Sequence, residues 1–349
     1  RVDSGGALAV GPQSAGADPG PACYGKGDQI TVTDANLALG RMLPEHFLGG
    51  RLPLDRHRSE SLIANLASEI SLSAQEAALG IIRVVNANME RAIRAISLER
   101  GYDPRQFTLV PFGGAGPMHC CELAQELGIP RVLVPARPGI LSALGVAIAD
   151  IVKDYSRTVM LRGDEINRAR LDEEFHGMEG LAREALEDEG LPMDRMQPQR
   201  FLDVRYVGQS FELTIDYPVP TRRMDTERMR RSIADSFYKA HLQRFGYADR
   251  REAVEIVNLR FKLAMEMDKP QVVMEQASSP DSAGALLGEA QAVFADGPTA
   301  TRLYDRDKLG SGNRIAGPAI VLQMDTTIVM PPGWSGTVDS YGNLLLEMS

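Results

Sequence analysis

The 349-residue chain is 44% hydrophobic and 24% charged, a globular composition long enough for a large core and more than one domain. A formal net charge of −9 and the lack of a basic stripe argue against nucleic-acid binding: the run Thr221-Arg222-Arg223 is short and is soon followed by Asp225 and Glu227. Three cysteines make no disulfide framework, and the longest apolar stretch, Ile140 to Ile151, is far shorter than the roughly 20 residues of a membrane span, so a reducing, cytoplasmic setting without a membrane is expected.

No signal peptide precedes the first turn, and the chain opens on Arg1 within what reads as a strand and turn, which suggests a fragment or a processed chain. Residues 1–50 are rich in turns. The stretch GPQSAGADPGPACYGKGD is dense in Gly and Pro without periodicity, a shaped loop that serves either as a connector or as backbone brought close to a ligand. In TVTDANLALGRM, Asp34 reads as the N-cap of a helix beginning at Ala35. Ser73-Ala74-Gln75-Glu76 is a capping box, and the helix behind it carries the stripe Ala78, Ile81, Ile82, Val85, Met89, Ile93 and Ile96, with Gly101 as its stop. Arg91 and Arg94 lie off that stripe, toward solvent.

QFTLVPF then predicts a buried strand, a helix follows from Pro117 to Gly128, RVLVP predicts a second buried strand, and PGILSALGVAIADI another helix. That alternation is an α/β unit with a largely buried sheet. From Lys153 the texture changes: YSRTVM predicts a strand, 166–191 a charged helix, QRFLDVRYVGQSFELTIDYP a hairpin, 224–244 a helix and AVEIVNLRFKLAME a strand, a β-α-β-β-α-β order. EQASSPDSAG reads as a flexible linker, and the remainder as short strands with Gly and Pro turns. There is no internal repeat.

Three features bear on chemistry. Gly113, Gly114, Ala115 and Gly116 form a bare strand-to-helix turn that lets backbone approach a flat or anionic ligand; the rival reading is tight helix–strand packing. The spacing fits neither the dinucleotide G-x-G-x-x-G fingerprint nor a P-loop. His119, Cys120 and Cys121 could make a cysteine nucleophile with a base, although neighbouring helix residues point apart and buried inert cysteines are common. The histidines, His46, His57, His119, His176 and His241, are scattered without H-x-x-x-H or C-x-x-C pairing, so no transition-metal site is expected.

VDSGGALAVGPQSAGADPGPACYG, TVTDANLALGRM, FGGAGPMHCCELAQELGIPRVLVPARPGILSALG, DVRYVGQSFELTI, RFGY and GPAIVLQMDTTIVMPPGW, in this order, resemble the hydantoinase A / 5-oxoprolinase / acetone carboxylase β-subunit family across nearly the whole chain. The resemblance implies an actin-like ATPase fold with a ribonuclease-H-like sheet in each half and nucleotide in the cleft. It implies ATP and Mg²⁺ as cofactors in the intact protein, phosphorylation of an amide or ketone oxygen, and a second, hydantoinase B-type subunit as partner. The resemblance further implies that the Gly113–Gly116 turn lies against the adenosine. The family's acidic, Gly-rich phosphate and metal motifs are not found in this chain, so the chain alone is expected to bind ATP weakly and not to turn over.

The expected organisation is α/β: an actin-like ATPase (ribonuclease H-like) C-terminal half at 1–152, an α+β domain at 153–275, and a small β-rich C-terminal module at 276–349. The expected function is part of an ATP-dependent cyclic-amide hydrolase of the hydantoinase/5-oxoprolinase type, with a small cyclic amide as substrate. Alternatives are an ATP-dependent ketone carboxylase subunit, a non-catalytic subunit-docking fragment, and a cysteine hydrolase using Cys120 or Cys121. Catalytic residues are not assigned.

Overall fold

The structure, a computed structural model, describes residues 1–218, 225–271, 273–277 and 279–348. The Thr221-Arg222-Arg223 run lies outside the described residues. In chain order the elements are helices α1 (Val32–Ala38), α2 (Arg56–Glu69) and α3 (Ala74–Ile96), strand β1 (Thr108–Leu109), α4 (Gly116–Leu127), β2 (Arg131–Val134), α5 (Leu141–Ile148), β3 (Ile151–Arg162), α6 (Arg168–Asp188), β4 (Met196–Tyr206), β5 (Leu213–Asp216), α7 (Thr226–Phe245) and β6 (Val254–Met265). A run of strands follows: β7 (Leu286–Phe294), β8 (Gly297–Asp305), β9 (Arg314–Ala316), β10 (Ala319–Gln323), β11 (Thr326–Met330), β12 (Trp334–Val338) and β13 (Leu344–Met348). Among the described residues, no helix is long and apolar enough to cross a membrane.

The chain forms two compact units, Arg1–Val146 with Gln271–Ser349, and Ala147–Pro270. The first does not stop where the sequence suggested. The segment 276–349, expected as a separate module, supplies β13, β12 and β9 to a sheet ordered β1-β2-β13-β12-β9, with Leu344 opposite Val134. A second sheet of this unit runs β11-β10-β8-β7. Cys120, Cys121, Val132, Val321, Trp334 and Leu344 share one core in which α4 packs with both sheets. The stretch 275–284, expected as a flexible linker, is tied down: Asn313 Nδ2 donates to the Ser279 and Asp281 carbonyls at 2.6 and 2.9 Å, and Arg314 N donates to Pro280 O at 2.9 Å.

Local sequence explains most elements of this unit. The Ser73/Glu76 capping box starts α3, whose buried stripe of Ala78, Ile81 and Ile82 packs on α1 and α2. The helix ends at Ile96, ahead of the expected stop, because Ser97 Oγ turns back to Ile93 O at 2.7 Å; Gly101, at φ 81°, closes only the short 3₁₀ turn Leu98–Arg100. Arg94 pairs with Glu90 at 2.7 Å on the exposed side. The buried strand expected across QFTLVPF is much shorter. Only Thr108 and Leu109 pair with β2, while Phe107, Val110 and Phe112 are exposed. β1 is an edge strand, and Pro111 has no N–H with which to extend the ladder.

The unit Ala147–Pro270 has the expected β-α-β-β-α-β order, folded as an antiparallel sheet β3-β6-β4-β5. Phe175 and Leu186 from α6 and Ile233 and Phe237 from α7 are buried in one core with Leu202, Leu259 and Phe261 of the sheet.

Candidate functional site

Chain entry into α4 builds the site. Pro117 occupies the first turn of the helix, and Gly128, at φ 68°, caps its end as expected. The turn before it is braced on two sides: Gly113 N donates to Pro138 O at 2.8 Å, and Thr326 Oγ1 donates to Gly114 O at 2.9 Å. Asp325 Oδ2 accepts from Gly139 N at 2.9 Å, and a Cβ at Gly139 would stand 2.6 Å from Asp325, so only glycine permits this approach.

The glycines of the turn itself are a different case. Gly113 adopts φ 81°, which favours glycine, yet a Cβ there would meet nothing within 4 Å. A Cβ at Gly114 would lie 3.5 Å from Asp325 O, and one at Gly116 3.7 Å from Pro111, both ordinary contacts. Packing within the chain therefore does not require the absence of side chains at Gly114 or Gly116, contrary to the helix–strand packing alternative.

Gly114 and Ala115 line a cavity of about 280 Å³, whereas Gly113 and Gly116 are not among its lining residues. Its walls come from α1, α4, β10 and the loops between: Tyr24, Met42, Phe47 and Met118 supply apolar surface, and Asn36, His119 and Gln323 supply polar groups. Asn36 is 1% exposed and Gln323 8%. Asn36 Nδ2 donates to Val32 O at 3.1 Å and Gln323 Nε2 to Ala136 O at 2.8 Å, which fixes the orientation of each amide. The oxygens, Asn36 Oδ1 and Gln323 Oε1, have no hydrogen-bond partner among the described residues and are closed off from a water-sized probe. Each such buried orphan costs about 1–3 kcal/mol.

His119 belongs to a relay through α3 and α4. Arg41 pairs with Glu122 Oε1 at 2.9 Å, Asn86 Nδ2 donates to Glu122 Oε2 at 2.7 Å, and Asn86 Oδ1 stands 2.8 Å from His119 Nδ1. The Asn86 amide is oriented by Glu122, so His119 Nδ1 carries the proton and donates. Burial pushes the imidazole below its ordinary 6.5, with the Glu122 charge opposing. A lowered folded-state value means that the unfolded chain binds the extra proton first, so stability is present above about pH 6.5 and falls as pH drops through it. His119→Gln is expected to flatten that loss, as read from urea midpoints at about pH 7.5 and about pH 5.5.

Asp34 is not the N-cap. Thr31 caps α1, and Asp34 closes a capping box from its third position, a Thr-x-x-Asp pattern visible in the sequence. Fully buried, it gathers the preceding loop: Oδ1 accepts from Cys23 N (2.8 Å) and Ser59 Oγ (2.7 Å), and Oδ2 from Ala22 N (3.2 Å), Thr31 N and Thr31 Oγ1 (both 2.8 Å). Its work is to shape the GPACYG loop.

The cysteines are free and buried. Burial, and then the Asp34 charge, push the Cys23 thiol up to about 12. Burial and the adjoining Cys120 raise Cys121 as well, and Cys120 Sγ donates to Pro117 O at 3.2 Å. Neither the exposure nor the charge environment of a nucleophilic thiolate is present at these positions, which removes the physical basis of the cysteine-hydrolase alternative. Among the described residues, no group of three or more His, Cys, Asp or Glu could hold a metal ion.

The chain matches the hydantoinase/oxoprolinase family over residues 1–155 and the hydantoinase/oxoprolinase C-terminal domain over residues 163–348. It belongs to the hydantoinase/oxoprolinase family. It is 35% identical to caprolactamase subunit alpha of Pseudomonas jessenii over 97% of this chain and 49% of that protein. The crystal structure of the ATP-dependent caprolactamase from that organism superposes with a TM-score of 0.78 at 34% identity, covering 100% of this chain and 51% of that one. A nucleotide-free structure of acetone carboxylase gives a TM-score of 0.86 at 25% identity, again over 100% and 51%. The chain thus spans about half the length of these relatives, and it shares with their structures a mixed α/β architecture of several sheets.

Within this hydantoinase/oxoprolinase-family chain the DVRYVGQ segment has a structural task. Asp203, fully buried on β4, accepts from Thr214 Oγ1 (2.7 Å), Arg260 Nε (2.8 Å) and Asn258 Nδ2 (3.0 Å). Arg205 donates to the buried Glu255 at 2.7 Å, which Arg162 also contacts. Burial would raise both carboxyls, but the hydrogen bonds outweigh it and hold them below the usual range.

Proposed function

We propose that this chain is part of an ATP-dependent cyclic-amide hydrolase of the hydantoinase/5-oxoprolinase type, and that the Gly113–Gly116 turn is the wall against which the adenosine rests. The observation that carries the reading is the bare turn itself. The chain's own packing does not require glycine at Gly114 or Gly116, and two of the turn's residues, Gly114 and Ala115, line a largely apolar cavity. The actin-like ATPase arrangement, with nucleotide in a cleft, is the finer fold reading that goes with it. Similarity to a caprolactamase described as ATP-dependent supports the class of reaction.

In that reaction the amide carbonyl oxygen takes the γ-phosphoryl group of ATP and ADP leaves. Water then adds to the activated carbon and the ring C–N bond opens as the nitrogen leaves with a proton, giving an acyl phosphate; a second water hydrolyses that acyl phosphate to the carboxylate and free phosphate. Charge at the transferring phosphoryl group calls for Mg²⁺ and further donors. We assign the phosphate and Mg²⁺ contacts to protein outside this chain, which spans about half the length of its relatives. A second, hydantoinase B-type subunit is the proposed partner, since the caprolactamase relative is itself named a subunit, and the three free thiols suit the cytoplasm.

Gly114→Val in the complete protein that carries this chain is expected to weaken ATP binding about tenfold or more, because an overpacked wall costs about 1–3 kcal/mol. Unchanged affinity in a nucleotide titration would overturn the assignment. A second reading, an ATP-dependent ketone carboxylase subunit, draws on the superposition with acetone carboxylase. ADP release from the complete complex, measured against a panel of cyclic amides and against ketones with bicarbonate, separates the two.

A further inference from the structure

Helix α5 breaks the pattern of the rest of the chain. The stretch from Pro138 to Ile148, PGILSALGVAI, carries no charged residue, yet none of the eight residues of α5 is buried. Ile140, Leu144 and Val146 are exposed, Val146 by 80%. A helix this short is marginal in water and depends on a packed face, and Gly145 in its interior weakens it further. An α-helix that is apolar all round belongs against something.

The sheet is open on the same flank. β1 pairs in parallel with β2 on one side and has no strand on the other among the described residues. Val110 and Phe112, which follow β1, are exposed. Gly113 N donates to Pro138 O at 2.8 Å, which joins this edge to the start of α5. An uncharged, unpaired edge beside an apolar helix lacks every device by which a sheet edge is kept safe in water. A lipid surface does not fit, because eight residues cannot span a bilayer and α5 has no cationic face with which to lie on one.

The length of the relatives points to the occupant. This chain covers 51% of each superposed structure, so about half of either polypeptide lies outside the matched part. We propose that the part of the longer polypeptide outside this chain docks here, adding a strand to the free edge of β1 and covering α5 with apolar side chains. Pro111, which has no N–H, confines the new pairing to residues 107–110. This docking is independent of what the Gly113–Gly116 turn binds, although it brings the neighbouring polypeptide up to that turn.

Thiol accessibility in the complete protein tests it. The native cysteines are buried, so a thiol placed on α5 can be followed at its own peptide by mass spectrometry. Leu144→Cys and Val146→Cys are expected to react with a maleimide about 100-fold or more slowly in the folded protein than in urea, since a covered thiol reacts only through local opening. In the wild type, the amides of 107–110 that face away from β2 are expected to be protected from hydrogen exchange, a measurement that needs no variant. Labelling of either thiol at its unfolded rate, or unprotected exchange at these amides, overturns the proposal. Protection that vanishes on dilution would mark a second copy, and protection that appears only when a separate subunit is added would mark that subunit. Either result overturns the assignment to the same polypeptide.

Discussion

Replacing Asp34 by alanine is expected to lower the unfolding free energy by about 3–5 kcal/mol, a large part of the 5–15 kcal/mol typical of a domain. The carboxylate is fully buried and accepts from three backbone N–H groups and two hydroxyls. The Thr31 and Ser59 hydroxyls can rotate to other partners, and Ala22 N also reaches Gln29 O at 3.2 Å. The Cys23 and Thr31 amides are left with nothing comparable, so the variant strands one buried and one partly buried donor. Asp34→Asn keeps the volume but turns an NH₂ toward a ring of donors, and is expected to recover less than half of the loss. Urea midpoints measure both. A midpoint at the wild-type value in Asp34→Ala, together with loss of activity, would move Asp34 from scaffold to chemistry.

Glu122→Ala should cost about 2–4 kcal/mol, the toll of leaving a charge without its counter-ion, discounted because Glu122 is one-quarter exposed. Its partner Arg41 is 1% exposed and keeps, among the described residues, Val293 O at 2.9 Å and the face of Phe294. The change also removes the acceptor that orients Asn86, so the His119 ring loses its fixed tautomer. Arg41→Met with Glu122→Leu should be no less stable than Glu122→Leu alone, because no buried charge is then left over. Denaturation of the four members of that cycle checks it: if the double variant is the least stable, the pair contributes more than its desolvation cost.

What could be read from sequence was local. The capping box of α3, the Pro117 start and Gly128 end of α4, and the hairpin of β4 and β5 each depend on residues within a few positions of one another. QFTLVPF misled because apolar composition cannot distinguish a paired strand from an exposed apolar loop; the missing information was which backbone stood alongside. Asp34 was misplaced by three residues because Asp and Thr are both good caps, and Thr31 precedes it. The relay Arg41, Glu122, Asn86, His119 left no sequence signal, since it assembles α3, α4 and the loop after α1. The bare turn was legible, but the two orphaned oxygens beside it were not. Asn36 and Gln323 look like ordinary amides until the fold gives their nitrogens partners and leaves their oxygens none among the described residues.

The pairing of β13 with β2 has a consequence for the order in which the protein can be made. Val132 and Val134 emerge from the ribosome well before Leu344 and Leu346, with the whole of Ala147–Pro270 between them. That inserted unit, whose described strands pair with one another once β6 has emerged, has what it needs to fold during synthesis, while β2 must wait with an open apolar flank. Release of a nascent chain stopped after β6 should therefore give a folded insert attached to a sticky, chaperone-dependent remainder.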